Sequence, residues 1–93
     1  MTEEEIYTKA IEKWGIQNQA IKTIEECAEL IQALSKNHLC VELKSNNDDT
    51  DNLFEEIADV QIMIDQLKLY YGKENIEGWR LLKLAKLNCI IED

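Results

Sequence analysis

"AIKTIEECAELIQAL", residues 20–34, decides the fold. Its Ala20, Ile21, Ile24, Cys27, Ala28, Ile31 and Leu34 recur at steps of three and four, the period of an amphipathic helix. The same stretch crowds Glu25, Glu26 and Glu29 into about one turn. A second stretch, "FEEIADV" at 54–60, repeats the device with Glu55, Glu56 and Asp59. Like charges at helical i,i+3 and i,i+4 spacing repel. A chain of 93 residues that does this twice needs a reason.

The helix around the first cluster is predicted from about Ile16 or Gln17 to Lys36. Before it, "EEEIYTKAIEKW" places Ile6, Ala10, Ile11 and Trp14 at helical spacing. Thr2 with Glu5 reads as a capping box there, and Gly15 as a stop or a kink. After it, "SNNDDTDN" at 45–52 is short-chained, polar and turn-favouring, and is read as a loop. "LCVEL" at 39–43 carries a weak strand signal. A third helix is expected from Leu53 to Tyr71, capped by Asn52 and ended by Gly72. A fourth runs from Asn75 or Ile76 to Ile91, with Gly78 in its first turn. The chain has no proline. The reading is one all-α, four-helix domain over residues 1–93, with the second and third helices central.

So small a domain buries a modest share of its surface, so association is expected. The formal charge of −9 repels nucleic-acid backbone and anionic lipid, and no basic face offsets it. Cys27, Cys40 and Cys89 are odd in number and widely spaced, which fits free thiols in a reducing cytoplasm. "MTEEEIYTKAIEKW" is acidic and amphipathic, unlike a signal peptide, and no apolar run reaches membrane-spanning length.

The two acidic clusters differ in where they point. In helix two, Glu26 borders the apolar arc and Glu25 and Glu29 fall outside it, as a solvated acidic face would have them. In helix three, Glu56 shares its face with Leu53, Val60, Met63, Leu67 and Tyr70, and Asp59 sits at the edge. A carboxylate inside an apolar stripe requires a cation, a proton or a basic side chain. Lys83 or Lys86 of the last helix is one candidate partner. The other is a hard divalent ion, held by oxygens from both helices if they pack side by side.

Together, Glu25-Glu26-Cys27-Ala28-Glu29 (EExxE) and Glu56-Ile57-Ala58-Asp59 (ExxD) resemble the MazG-like family of all-α nucleoside triphosphate pyrophosphohydrolases. The resemblance runs over about residues 6–90, including "WGIQNQAIKTIEECAELIQAL", "EEIADVQIMIDQLKLYYG" and "LLKLAKL". It implies a four-helix, MazG-like bundle completed by homo-oligomerisation, as a homodimer or homotetramer. It implies Mg2+-dependent hydrolysis of a nucleoside triphosphate between the α and β phosphates, with Mn2+ as a possible substitute. By position, Glu26, Glu29, Glu56 and Asp59 would ligate metal, and Glu25 would orient or deprotonate the attacking water. Lys83 would contact phosphate and Gln19 the base or sugar. Phosphoribosyl-ATP pyrophosphatases, which are similar in layout, typically carry a histidine shortly after the ExxD aspartate, and "DVQIMID" has none. The competing readings are a non-catalytic helical oligomer that binds nucleotide or a protein partner, and a plain divalent-ion buffer.

Overall fold

The computed structural model describes residues 1–38 and 48–93, without the side chains of Asp48 and Asp49. Four helices follow in order: α1 (Glu3–Trp14), α2 (Ile16–His38), α3 (Asp48–Tyr71) and α4 (Lys73–Glu92). Among the described residues there is no strand; the weak strand signal at 39–43 and Cys40 lie outside them. No helix among these residues is long and apolar enough to cross a membrane.

Local chemistry explains the boundaries. Thr2 Oγ1 accepts from the Glu5 N–H at 3.1 Å, and Glu3, Glu4 and Glu5 place negative charge at the positive end of the α1 dipole. Gly15, at φ 86°, takes a backbone conformation that side chains resist, and its N–H closes α1 onto Ile11 O at 2.8 Å. The third helix corrects the expectation. It starts at Asp48, so Asn52 lies inside it and does not cap it, and residues 48–52 are not loop. Short polar residues suit a helix's first turn as well as a turn of coil. At the other end α4 begins at Lys73, earlier than expected, because one glycine both ends α3 and opens α4.

That glycine is Gly72, at φ 130°, and a Cβ there would stand 3.4 Å from Asn75 Nδ2. Gly78, inside α4, has open space around it. The two should respond with opposite signs. Gly72→Ala is expected to destabilise by about 1–2 kcal/mol through its backbone conformation. Gly78→Ala should stabilise by about 0.5–1 kcal/mol through helix propensity. Urea titration of both variants checks the pair.

Packing is centred on α2 against α3, which run antiparallel; α1 lies across both, and α4 packs on α3, with an exposed Lys73–Glu4 ion pair of 3.8 Å to α1. The buried residues of α2 are Gln19, Thr23, Glu26 and Ala33. This reverses the expected orientation. The apolar stripe of α2 faces outward, with Ile21, Ile24 and Ile31 at 55%, 69% and 65% exposure, and the face holding Glu26 packs inward. Glu26 is therefore not part of a solvated surface. On α3 the expected stripe does face the bundle: Met63 is buried, and Leu53, Glu56, Val60 and Leu67 are half-buried, though Tyr70 is exposed.

α4 has no buried residue. Its Trp79, Leu81, Leu82, Leu84, Leu87, Ile90 and Ile91 all stand in solvent in the single chain. The Cα radius of gyration is 16.4 Å, where a compact chain of this length has about 12 Å. The accessible surface is 7421 Å², against roughly 5,500 Å² for a compact monomer of this mass.

Candidate metal centre

Register sets the site. Near one end of the α2–α3 pair, Gln19 Nε2 donates to Gln66 Oε1 at 2.7 Å, both residues being buried. Going down α2 and up α3 from that bond, successive turns bring Thr23 and Glu26 on one helix towards Met63 and Asp59 on the other. Further along the same seam Glu29 meets Glu56.

Glu26, Glu29 and Glu56 each offer a carboxylate oxygen, and these oxygens lie within 4.8 Å of one another. Glu26 is only 7% exposed, Glu56 is half-buried and Glu29 is exposed. Glu26 Oε1 meets Lys22 Nζ at 3.1 Å. Its Oε2 is buried with no hydrogen-bond partner, and so is Oε2 of Glu56. An unpartnered buried carboxylate oxygen is costly, and two at one place are rare.

The electrostatics follow. Burial first, and then the charge of Glu29, raise the Glu56 carboxyl above its ordinary range; hydrogen bonding with Glu29 and the charges of Asp59 and Glu26 add to this. The hydrogen bond to Glu26 raises the Lys22 ammonium, so that cation stays charged. One lysine faces three glutamates. Neither Lys83 nor Lys86 forms an ion pair with Glu56, so the basic-partner alternative is not realised among the described residues.

These shifts have a sign that can be measured. A raised carboxyl holds its proton in the folded chain at pH values where the unfolded chain has released it. The stabilisation is complete below the ordinary 4.5 and is lost as pH climbs through the shifted value. In metal-free buffer, the Tm should therefore fall more steeply with rising pH in the native chain than in Glu56→Gln. Thermal scans from the mildly acidic to the neutral range give the comparison.

Of the residues singled out by motif, the structure brings Glu26, Glu29 and Glu56 together. Asp59 is exposed and outside that cluster, though its charge reaches Glu56. Glu25 is exposed on α2 beside the cluster. Gln19 is buried seven residues N-terminal to Glu26 on the same face. Lys83 is exposed on α4. Two residues escaped the sequence reading. Lys22 had a signal in its i,i+4 spacing to Glu26, masked by the assumption that this face was solvated. Gln66 had none until the register placed it against Gln19.

All the donors are carboxylate oxygens, the set that hard divalent ions prefer, and two of the three residues, Glu26 and Glu56, each keep a buried oxygen without a partner. No family model, no curated protein and no solved structure matches the chain.

Proposed function

We propose that this protein is a magnesium-dependent nucleoside triphosphate pyrophosphohydrolase of MazG-like type, with manganese as a possible substitute. The observation that carries the proposal is the pair of buried, unpartnered oxygens on Glu26 and Glu56. They belong to the EExxE and ExxD motifs and converge with Glu29 across two antiparallel helices.

Glu26, Glu29 and Glu56 would hold the metal, and Asp59, exposed outside that cluster, would be the fourth ligand that the motif implies. Lys22 fixes the rotamer of Glu26 through their 3.1 Å ion pair. Bound magnesium supplies a reversal of the local sign, acidification of a water and neutralisation of the triphosphate oxygens. Glu25, exposed at the cluster's flank, orients the attacking water and takes its proton. The water oxygen bonds to the α phosphorus, and the α–β bridging bond breaks with its electrons leaving on pyrophosphate. The products are a nucleoside monophosphate and pyrophosphate. Lys83 contacts phosphate oxygens once α4 is packed in the assembly.

That assembly is made of copies of this chain, as a homodimer or homotetramer. Its support is the bare α4, the outward stripe Ile21, Ile24 and Ile31, and an excess surface on the order of a standard interface. The acidic chain favours neither nucleic acid nor membrane as a partner. Free Cys27 and Cys89 suit a reducing, cytoplasmic setting.

Turnover in isotopically labelled water tests the chemistry. Heavy oxygen in the nucleoside monophosphate is the expected result. Label in pyrophosphate or in orthophosphate would mean attack at another phosphorus and would overturn the assignment.

A further inference from the structure

Next to Lys22, the partner of Glu26, lies a cavity of about 410 Å³ lined by Ala10, Trp14, Asn18, Gln19, Lys22, Met63 and Gln66, with Asn18 Nδ2 already donating to Trp14 O. Its walls are largely apolar, and its polar groups include the two carboxamides of the buried 2.7 Å pair. A mostly apolar pocket with a few fixed polar groups is the ordinary form of a small-ligand site. Lys22 joins it to the metal centre, since the same side chain lines the cavity and pairs with Glu26. Gln19 and Glu26 are seven residues apart on one helical face, about 10 Å along the axis. A sugar and its first phosphate bridge such a distance.

The carboxamides are not fully used. Gln19 Nε2 is committed to Gln66 Oε1, and Gln66 Nε2 donates only to the weak acceptor Met63 Sδ at 3.7 Å. Gln19 Oε1 accepts no side-chain hydrogen bond among the described residues and is not sealed from solvent, since the buried unpartnered oxygens there are those of Glu26 and Glu56. Both residues line the cavity, so the capacity left to a ligand is a carbonyl acceptor on Gln19 and an N–H donor on Gln66. Its complement is a ring edge with an N–H next to a C=O.

We propose, resting on the pyrophosphohydrolase reading, that this cavity holds the base and that Gln19 and Gln66 select a lactam edge. Uracil, thymine, guanine and hypoxanthine carry that edge; cytosine and adenine present an acceptor nitrogen beside an amino group in its place. Gln19 accepts from the base N–H, Gln66 donates to the adjoining carbonyl, and Trp14 and Met63 contact the ring faces. A mismatched edge leaves both carboxamides unpaired beneath the bound base, the situation in which sites discriminate most strongly.

The test is kcat/KM with magnesium for dUTP, dTTP, dGTP and dITP against dCTP and dATP. The comparison chain is Gln19→Leu/Gln66→Leu, in which both partners become apolar together so that neither is left buried and unpaired. The native chain should prefer lactam bases by about 100-fold, and the double variant should lose that preference while circular dichroism shows its helices intact. Indifference to the base, preference for dCTP or dATP, or discrimination that survives in the double variant would overturn the proposal and leave the hydrolase reading standing. Should no triphosphate turn over, binding of the corresponding monophosphates is read from Trp14 fluorescence in a Trp79→Phe background. Lactam-selective binding lost in the double variant would then support the pocket while refuting the hydrolase. Absent or unselective binding would overturn the pocket.

Discussion

Glu56→Gln is expected to lose pyrophosphate release by on the order of a thousandfold or more and to gain stability in metal-free buffer. The two halves of that result have one cause. Glu56 occupies an apolar stripe on α3, and its Oε2 is buried without a partner. Without metal, its negative charge is opposed by the desolvated setting and by Glu29, Asp59 and Glu26. Glutamine keeps the shape and removes the charge, so the folded chain relaxes. On the proposed reading the same charge would be a metal ligand, and its loss would remove charge stabilisation worth several kcal/mol in the transition state. Glu26→Gln and Glu29→Gln should lose turnover comparably. Glu55→Gln, on the exposed side of the same turn, should do neither. A residue whose replacement stabilises a protein and silences it is held for function. A purely structural carboxylate would show the opposite: lower stability with activity following the folded fraction.

Leu82→Glu/Leu87→Glu is expected to turn a self-associated protein into a monomer with less helix. The apolar residues of α4 lie on all its sides, and Leu82 and Leu87 are 64% and 50% exposed in the single chain. A helix apolar all round is a buried helix. Twenty residues attached through Gly72, a short contact with α3 and one exposed ion pair to α1 hold little helix alone. Burying one such leucine contributes about 1.5–3 kcal/mol, so two opposed charges remove most of what an interface of standard size supplies. Sedimentation should show the native chain as an oligomer and the variant as a monomer. The native Tm should also rise with protein concentration, which a monomeric fold would not show.

Much of this was legible in the sequence. The period of 3.6 gave four helices, Gly15 and Gly72 marked their junctions, and the Thr2 half of the expected capping box formed. The intruding Glu56 was visible because it broke an apolar stripe. The orientation of α2 was not. Its stripe at Ile21, Ile24 and Ile31 looks like an inner face, yet periodicity finds an apolar face without saying which molecule covers it. The polar row Gln19, Thr23 and Glu26 packs inward because its partners, Gln66 and the Glu56 turn, are polar too. That pairing depends on a register between residues far apart in the chain. The start of α3 was missed because Asp and Asn serve a first turn and a loop equally well.

The central claim is that the carboxylates joined by α2 and α3 use a divalent ion to cleave a nucleoside triphosphate. Pyrophosphate release tests it most directly, across the common ribo- and deoxyribonucleoside triphosphates, with magnesium, with chelator, and with Glu56→Gln beside the native chain. The account predicts release from at least one substrate that needs magnesium and disappears in the variant. Release that survives chelation or Glu56→Gln, or none from a folded protein that binds magnesium, would contradict it.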